Sequence, residues 1–239
     1  MNYLDLTYAD PASNLACDEA LTDFCESERS DGVLRVWEPL SYFVVVGYSN
    51  RLATEVHIER CRAQGVPILR RFSGGGTVLQ GPGCLNYSVV LPNQLVGGAV
   101  DLMASYRFVL QRHRKIFAEL LGTAVEIAGT SDLAVGGRKF SGNAQHRKRY
   151  CTLFHGSFLL NFDLSRIEAL LPLPSKEPNY RGGRSHQDFL RNVEIDKTLL
   201  REALRCEWAA LQPLSYDGEK AIQKLLRNRY LQPEWNLKF

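Results

Sequence analysis

The sequence predicts an α+β fold, with a mixed, largely antiparallel sheet flanked by helices. Short segments rich in β-branched and aromatic residues recur along the chain in groups, without regular strand–helix alternation. One long stretch, Leu102–Leu121, carries an apolar stripe at helical spacing. The 239 residues, 45% hydrophobic and 23% charged, fit an ordinary globular chain able to bury a sheet-sized core.

The first predicted helix is Asn14–Glu28, where Leu15, Cys17, Ala20, Leu21 and Phe24 share a face and Ser13 is the expected N-cap. Strands are expected at Val33–Trp37 and Tyr42–Gly47, separated by Pro39. A helix over Thr54–Gln64 ends at Gly65. Three strands follow, Pro67–Arg71, Thr77–Gln80 and Leu85–Leu91, punctuated by Gly74–Gly76 and Gly81–Gly83. In Leu102–Leu121 the stripe is Leu102, Tyr106, Val109, Leu110, Phe117, Leu120 and Leu121, and Gly122 stops the helix. Val125–Ile127, Leu133–Val135 and Arg138–Ser141 read as strands, the last two joined by a Gly136-Gly137 turn. Thr152–Asn161 is another strand, Ser165–Leu171 a short helix, and Pro172–Ser185 a long Pro/Gly-rich loop. Helices are expected near Lys197–Leu211 and Gly218–Leu231. With no repeat or linker, residues 1–239 read as a single domain.

Several function classes are excluded early. Lys+Arg minus Asp+Glu is 29 − 26 = +3, too balanced to announce a nucleic-acid or membrane partner. The longest apolar runs, such as Phe43–Val46, are strand-sized, and residues 1–10 carry no basic-then-apolar leader. A cytoplasmic location is the default expectation. The six cysteines are scattered without a C-x-x-C pair, which argues against zinc and for free thiols in a reducing compartment.

Two segments carry chemistry. In Arg70-Arg71-Phe72-Ser73-Gly74-Gly75-Gly76-Thr77-Val78, three glycines between strands allow backbone N–H groups to meet an anion, with arginines to assist. A glycine-rich hairpin with exposed arginines is the alternative. In Ser131-Asp132-Leu133 and Arg138-Lys139-Phe140-Ser141-Gly142-Asn143-Ala144, strand alternation puts Lys139 and Ser141 on one face. A lysine there could hold a carboxylate and a phosphate together as they react, and Asp132 could bind magnesium or orient the ligand. Lys139 could equally be a solvated surface lysine.

Together with Gly83–Ser88 and His155–Asn161, these motifs follow the order and spacing of the lipoate–protein ligase catalytic domain, which the chain resembles over residues 1–195. Asn14–Leu21 resembles that family's first helix, Arg71–Gly76 its acyl-adenylate loop, Arg138–Ala144 its lysine motif and His155-Gly156-Ser157 its pocket-lining strand. The resemblance implies that lipoate and ATP, with magnesium, give lipoyl-AMP, whose acyl group passes to a lysine of an acceptor protein. It implies Lys139 as the catalytic lysine. For lipoate and ATP it implies Arg71, Ser73, Gly74, Gly75, Gly76, Thr77, Val78, Leu79, Gln80, Asn86, Asp132, Ser141, Gly142, Ala144, His155 and Gly156. Gln80 stands where the family often has histidine. The implied acceptors are apo lipoyl domains or the glycine-cleavage H protein. Family members that work alone usually carry an accessory C-terminal domain. Residues 196–239 read only as a helical extension, so a separate accessory chain is expected.

Two other readings compete. Octanoyl or lipoyl transferases of the superfamily move the acyl group through a cysteine thioester, from a cysteine just before the Ser131-Asp132-Leu133 position or in the Pro172–Ser185 loop. Gly129-Thr130 and Pro178-Asn179-Tyr180 occupy those places, favouring the ligase. The basic run His146-Arg147-Lys148-Arg149 could bind RNA in a non-catalytic relative. In the ligase reading, Arg147, Lys148 and Arg149 guide an acidic acceptor domain. Loop Tyr180–His186, with Arg181 and Arg184, is expected to close over the nucleotide or phosphate, with a plain surface loop as the equal alternative.

Overall fold

A computed structural model of the protein describes residues 1–96 and 101–239. In chain order the elements are β1 (Asn2–Leu4), α1 (Pro11–Glu28), β2 (Val33–Trp37), β3 (Phe43–Val46), α2 (Leu52–Glu55) and α3 (Ile58–Ala63). Next come β4 (Ile68–Arg70), β5 (Val78–Gln80), β6 (Cys84–Pro92), α4 (Leu102–Leu121), β7 (Glu126–Ala128), β8 (Asp132–Val135) and β9 (Arg138–Arg147). The remainder is β10 (Cys151–Leu159), α5 (Ser165–Leu170), α6 (His186–Phe189), α7 (Lys197–Glu207), β11 (Gln212–Pro213), α8 (Glu219–Leu225) and α9 (Pro233–Asn236).

The large sheet has the order β11-β1-β2-β6-β10-β9-β8-β7 and a small one has the order β4-β3-β5. Pairing is antiparallel from β2 to β7, while β1 runs parallel to both β2 and β11. The expected α+β class is therefore observed. One apolar layer, including Phe117, Phe154, Phe158, Leu200 and Trp208, fills the face under α4 and α7. A second, including Leu15, Leu21, Leu153 and Tyr230, lies under α1 and α8. A third surrounds the small sheet. No helix among the described residues is long and apolar enough to cross a membrane.

Local chemistry explains where the boundaries differ from expectation. Helix α1 starts three residues early because Asp10, not Ser13, is its N-cap; the carboxylate accepts the Ser13 N–H at 2.8 Å, and Pro11 fits the first turn. Its polar residues Asn14 and Asp18 are buried because Arg35, fully enclosed on β2, binds Asn14 Oδ1 and Asp18 Oδ1, each at 2.6 Å. The single helix expected over Thr54–Gln64 is two, α2 and α3. Val56 is extended and the His57 N–H goes to Leu170 O at 2.9 Å, so a tertiary bond replaces helical continuation. In α4, Val109, Leu110 and Phe117 are buried as expected, but Leu120 is exposed and the Leu102 side chain lies outside the described residues. The 196–239 segment is not purely helical, since it supplies β11, and a π turn over Leu226–Tyr230 follows α8.

Candidate active site

A cavity of about 470 Å³ opens between the two sheets. Of the residues the sequence singles out for the reaction, all but Ser73 and Gly74 line it. Its apolar wall combines Leu15, Trp37 and Val45 with Leu79, Leu159 and Phe189, drawn from two of the three apolar layers.

The glycine loop wraps around Arg71. The Arg71 guanidinium donates to Gly74 O from Nε at 3.0 Å and from Nη2 at 2.7 Å, and to Gly76 O from Nη2 at 2.7 Å. Turning these carbonyls towards Arg71 aims the following N–H groups, of Gly75 and Thr77, the other way, because C=O and N–H of one peptide are antiparallel. Gly75 has φ +92°, and a Cβ there would lie 2.7 Å from Arg71 Nη2. Gly47, which sequence reasoning missed, lies beneath the loop; a Cβ on it would meet Gly75 O at 2.1 Å. The arginines are therefore not exposed, as the glycine-rich-hairpin alternative had them, and Arg71 lines the cavity. Arg70 is fully buried, and Arg71, 6% exposed, moulds the loop. Burial lowers the Arg71 pKa to about 10, which leaves it charged at neutral pH.

Lys139 and Asp132 come together across β8 and β9, with Nζ 2.8 Å from Oδ1. Lys139 pairs with Ala134 and Ser141 with Leu133, so Phe140 is an extra residue in β9. The simple alternation expected for Lys139 and Ser141 is thus interrupted, although both line the cavity. The other Asp132 oxygen, Oδ2, accepts the Tyr180 hydroxyl at 2.7 Å. Gly142 leaves the room Lys139 occupies, since a Cβ there would lie 2.8 Å from Nζ. Asn143 Oδ1 accepts the Tyr87 hydroxyl at 2.8 Å, and Asn143 Nδ2 donates to Ser131 O at 2.7 Å, fixing the turn before Asp132.

His155 Nε2 lies 2.6 Å from Ser73 Oγ. Burial foremost, then the nearby Arg71 and His146 charges, lower its pKa to about 3, so the imidazole is neutral. Asn86 Nδ2 donates to Gln80 Oε1 at 3.1 Å, placing two polar side chains on the cavity wall. No group of three His, Cys, Asp or Glu side chains suited to a metal occurs among the described residues. Both oxygens of Asp132, the expected magnesium ligand, are engaged by Lys139 and Tyr180.

No cysteine lines the cavity among the described residues. Burial pushes the thiols of Cys17, Cys25 and Cys84 up to about 12, far from a reactive thiolate.

Loop Pro172–Ser185 lies against the cavity, with Pro174, Lys176 and Glu177 on its wall. Ser175 bonds Glu55, Tyr180 bonds Asp132, and Arg184 Nη1 donates to Gly137 O at 3.1 Å. Arg181 lines the cavity but points its Nε to Arg184 O at 3.0 Å, and Arg184 Nη2 goes to Tyr180 O at 2.7 Å. Both arginines expected to reach phosphate thus brace the loop itself. The basic run lies apart from the cavity, at the β9–β10 turn. Lys148 pairs with Asp23, and Glu26 accepts the Arg149 N–H at 3.1 Å. Tyr87, Asn143 and Lys176 are among the cavity residues that the predicted set lacks, and Tyr180 acts from behind the wall through Asp132. Asn143 sits inside the lysine motif, whereas nothing local marks the tyrosines, whose partners are distant in sequence.

Residues 10–202 match the family model of the lipoyl protein ligase A/B catalytic domain. The chain belongs to this family. A protein of Aeropyrum pernix, provisionally named lipoate-protein ligase A, is 38% identical over 170 residues, covering 70% of this chain and 61% of that protein. Octanoyltransferase LipM of Exiguobacterium sibiricum is 35% identical over 179 residues, covering 64% of this chain and 63% of the relative. The matched region thus spans less than two thirds of either relative's length. The fold is that of a bipartite lipoate protein ligase from Thermoplasma acidophilum, studied with its E2 lipoyl domain (TM-score 0.82, 22% identity, 99% of this chain and 95% of that one). It also matches a lipoate-protein ligase A bound with ATP (TM-score 0.80, 23% identity, 99% and 98% coverage). Its relatives thus include proteins named as ligases and as transferases.

Proposed function

We propose that the protein is an ATP-dependent lipoate–protein ligase. One observation carries the choice over the thioester transferase: the cavity that joins an apolar wall to Lys139 and the glycine loop has no cysteine on its described lining. In this reading the apolar wall takes the dithiolane and alkyl chain, and the glycine loop and β5 take the nucleotide. A lipoate carboxylate oxygen attacks the α-phosphorus of ATP, the bond to pyrophosphate breaks, and lipoyl-AMP forms. Lys139 moves from Asp132 to the new anhydride, where its charge offsets the negative charge on phosphate and carbonyl oxygen. An acceptor lysine amine, once deprotonated, then attacks the acyl carbon, and AMP leaves with the bonding pair. Magnesium arrives with ATP as part of the substrate, held chiefly by phosphate oxygens, in keeping with the single engaged carboxylate of Asp132.

Apo lipoyl domains are the proposed acceptors, with the glycine-cleavage H protein a second, and a separate accessory chain completes the machine. The setting is the cytoplasm, where ATP is at hand and thiols stay reduced. The test incubates the chain with lipoate, Mg·ATP and an apo lipoyl domain and weighs the acceptor by mass spectrometry. A lipoyl adduct that requires ATP supports the ligase. An adduct formed only from an octanoylated carrier protein overturns it in favour of the transferase, the reading that the 35% identity to LipM supports.

A further inference from the structure

Arg70 is fully buried, yet among the described residues no carboxylate partners it. Its guanidinium is satisfied by carbonyls alone. Nη1 lies within bonding distance of Gly47 O (2.8 Å), Tyr48 O (3.1 Å) and Asn50 O (2.9 Å), all in the turn after β3. Nε reaches Trp235 O at 3.2 Å, and Nη2 reaches Lys238 O. The main chain of Arg70 is held from the same side. Strand β4 is an outer strand of the small sheet, so one edge has no strand partner. There the Asn236 Oδ1 accepts the Arg70 N–H at 3.0 Å, and the Trp235 Nε1–H donates to Arg70 O at 2.8 Å. Two side chains thus take the place of a neighbouring strand at one residue. Asn236 is itself anchored through Nδ2 to Tyr230 O at 2.8 Å.

Arg71, the next residue, moulds the glycine loop, and the turn that Arg70 gathers touches the loop directly. The Tyr48 N–H donates to Ser73 O at 2.9 Å, and Asn50 Nδ2 donates to Thr77 Oγ1 at 3.2 Å. Leu52 N–H, two residues beyond this turn, goes to Phe239 O at 3.1 Å. We infer that segment 233–239 is a positioning element for the glycine loop, with Trp235 and Asn236 as positioning residues that act through Arg70. Neither lines the cavity, so they influence bound nucleotide only by holding the loop in shape. The effect on ATP rests on the ligase reading, whereas the effect on the loop does not.

The test compares the full chain with Asn236→Leu, Trp235→Phe and Asn236→Asp. Asn236→Leu removes the acceptor for Arg70 N–H; Trp235→Phe removes the donor to Arg70 O while keeping an aromatic ring. Asn236→Asp keeps an acceptor oxygen. By hydrogen-exchange mass spectrometry, peptides covering 69–80 should exchange roughly tenfold faster in the first two variants. Peptides from β6 and β10 should be unchanged, and Asn236→Asp, which keeps the acceptor for Arg70 N–H but loses the donor to Tyr230 O, should fall between wild type and Asn236→Leu. In lipoate-dependent pyrophosphate exchange, KM for ATP should rise about tenfold with kcat and lipoate KM much less affected. Unchanged exchange over 69–80 overturns the inference, as does equal loosening of the main sheet, which would mark a general loss of stability. Should wild type form no adenylate even with its accessory chain supplied, the ligase reading fails while the exchange comparison still decides the role of the segment.

Discussion

Lys139 Nζ lies 2.8 Å from Asp132 Oδ1, and a bulged residue sets that approach. In the β8–β9 ladder Asp132 faces Gly142, while Lys139 faces Ala134 two residues further along β8. Phe140 is the extra residue between the two registers; its ring is wholly buried against Phe117, with centroids 4.8 Å apart. A core aromatic therefore pins the strand on which the lysine sits, and the lysine reaches the cavity side with a carboxylate to hold it.

Lys139→Ala should abolish acyl-adenylate formation and acceptor labelling, a loss of roughly 10²-fold or more for a charge aimed at the developing anion. Its fold should persist, because the side chain is partly exposed and its one ion pair is not a core contact. Lys139→Arg should not restore activity, since the broader guanidinium meets the wall at Gly142. Pyrophosphate exchange and circular dichroism check both statements; full activity in Lys139→Ala would exclude the mechanism.

Gly142→Ala offers a gentler probe of the same contact. The added Cβ would fall 2.8 Å from Lys139 Nζ and 2.9 Å from Cε, the flexible end of a side chain and not backbone. The fold can yield there at little cost, so the unfolding midpoint should move by less than about 0.5 kcal/mol equivalent. Turnover should fall about tenfold or more because the displaced ammonium no longer meets the reacting atoms. A variant with wild-type kcat would show that the position of Nζ is not critical.

The order of the strands and the lysine and glycine motifs were legible because they rest on local rules. β-Branched runs, a Gly-Gly turn with φ of +57° and +69° at Gly136 and Gly137, and an amphipathic α4 each declare themselves over a few residues. What the motifs do was less legible. Arg70 and Arg71 read as anion ligands, but their partners are carbonyls of Gly47 and Trp235 for one and of the loop itself for the other. For Arg70 the partners lie 20 to 168 positions away, for Arg71 three and five residues on, and no periodicity encodes either. The break between α2 and α3 has the same origin in His57 bonding to Leu170. Tyr180 escaped notice because its function comes from a loop of irregular geometry that returns to Asp132, 48 residues upstream.

Tyr180→Phe should loosen that loop. It removes one hydroxyl donor to a carboxylate, a bond worth about 1.5–3 kcal/mol, and leaves the ring on Phe189, with centroids 5.1 Å apart. Hydrogen exchange across 174–184 should quicken while the Ser175–Glu55 end stays protected. The rate of lipoyl transfer should fall as Lys139–Asp132 loses a neighbour that fixes the carboxylate. Identical exchange in the two proteins would mean that the hydroxyl does not hold the loop.

Two buried histidines should make the protein acid-sensitive. Burial foremost, with Arg112 adding to it, lowers the His113 pKa to about 3, and burial with Arg71 and His146 does the same to His155. His113 Nε2 accepts the Trp208 indole N–H at 3.0 Å, and His155 Nε2 is tied to Ser73, so each ring is held neutral. Between pH 6.5 and about 3 the unfolded chain carries a proton on each that the folded chain excludes. The unfolded state binds more protons there, so stability rises with pH and is fully present above about 6.5. Each histidine contributes a slope of up to about 1.4 kcal/mol per pH unit in that window. Urea unfolding at pH 7, 6 and 5 should show the midpoint falling as pH drops, and His113→Gln and His155→Gln should each flatten the curve. His155 stays neutral from pH 5 to 8, so it contributes no inflection to the pH–rate profile of acyl transfer there. An ionisation near pH 6.5 that disappears in His155→Gln would place a titrating imidazole at the site and overturn the buried, neutral assignment.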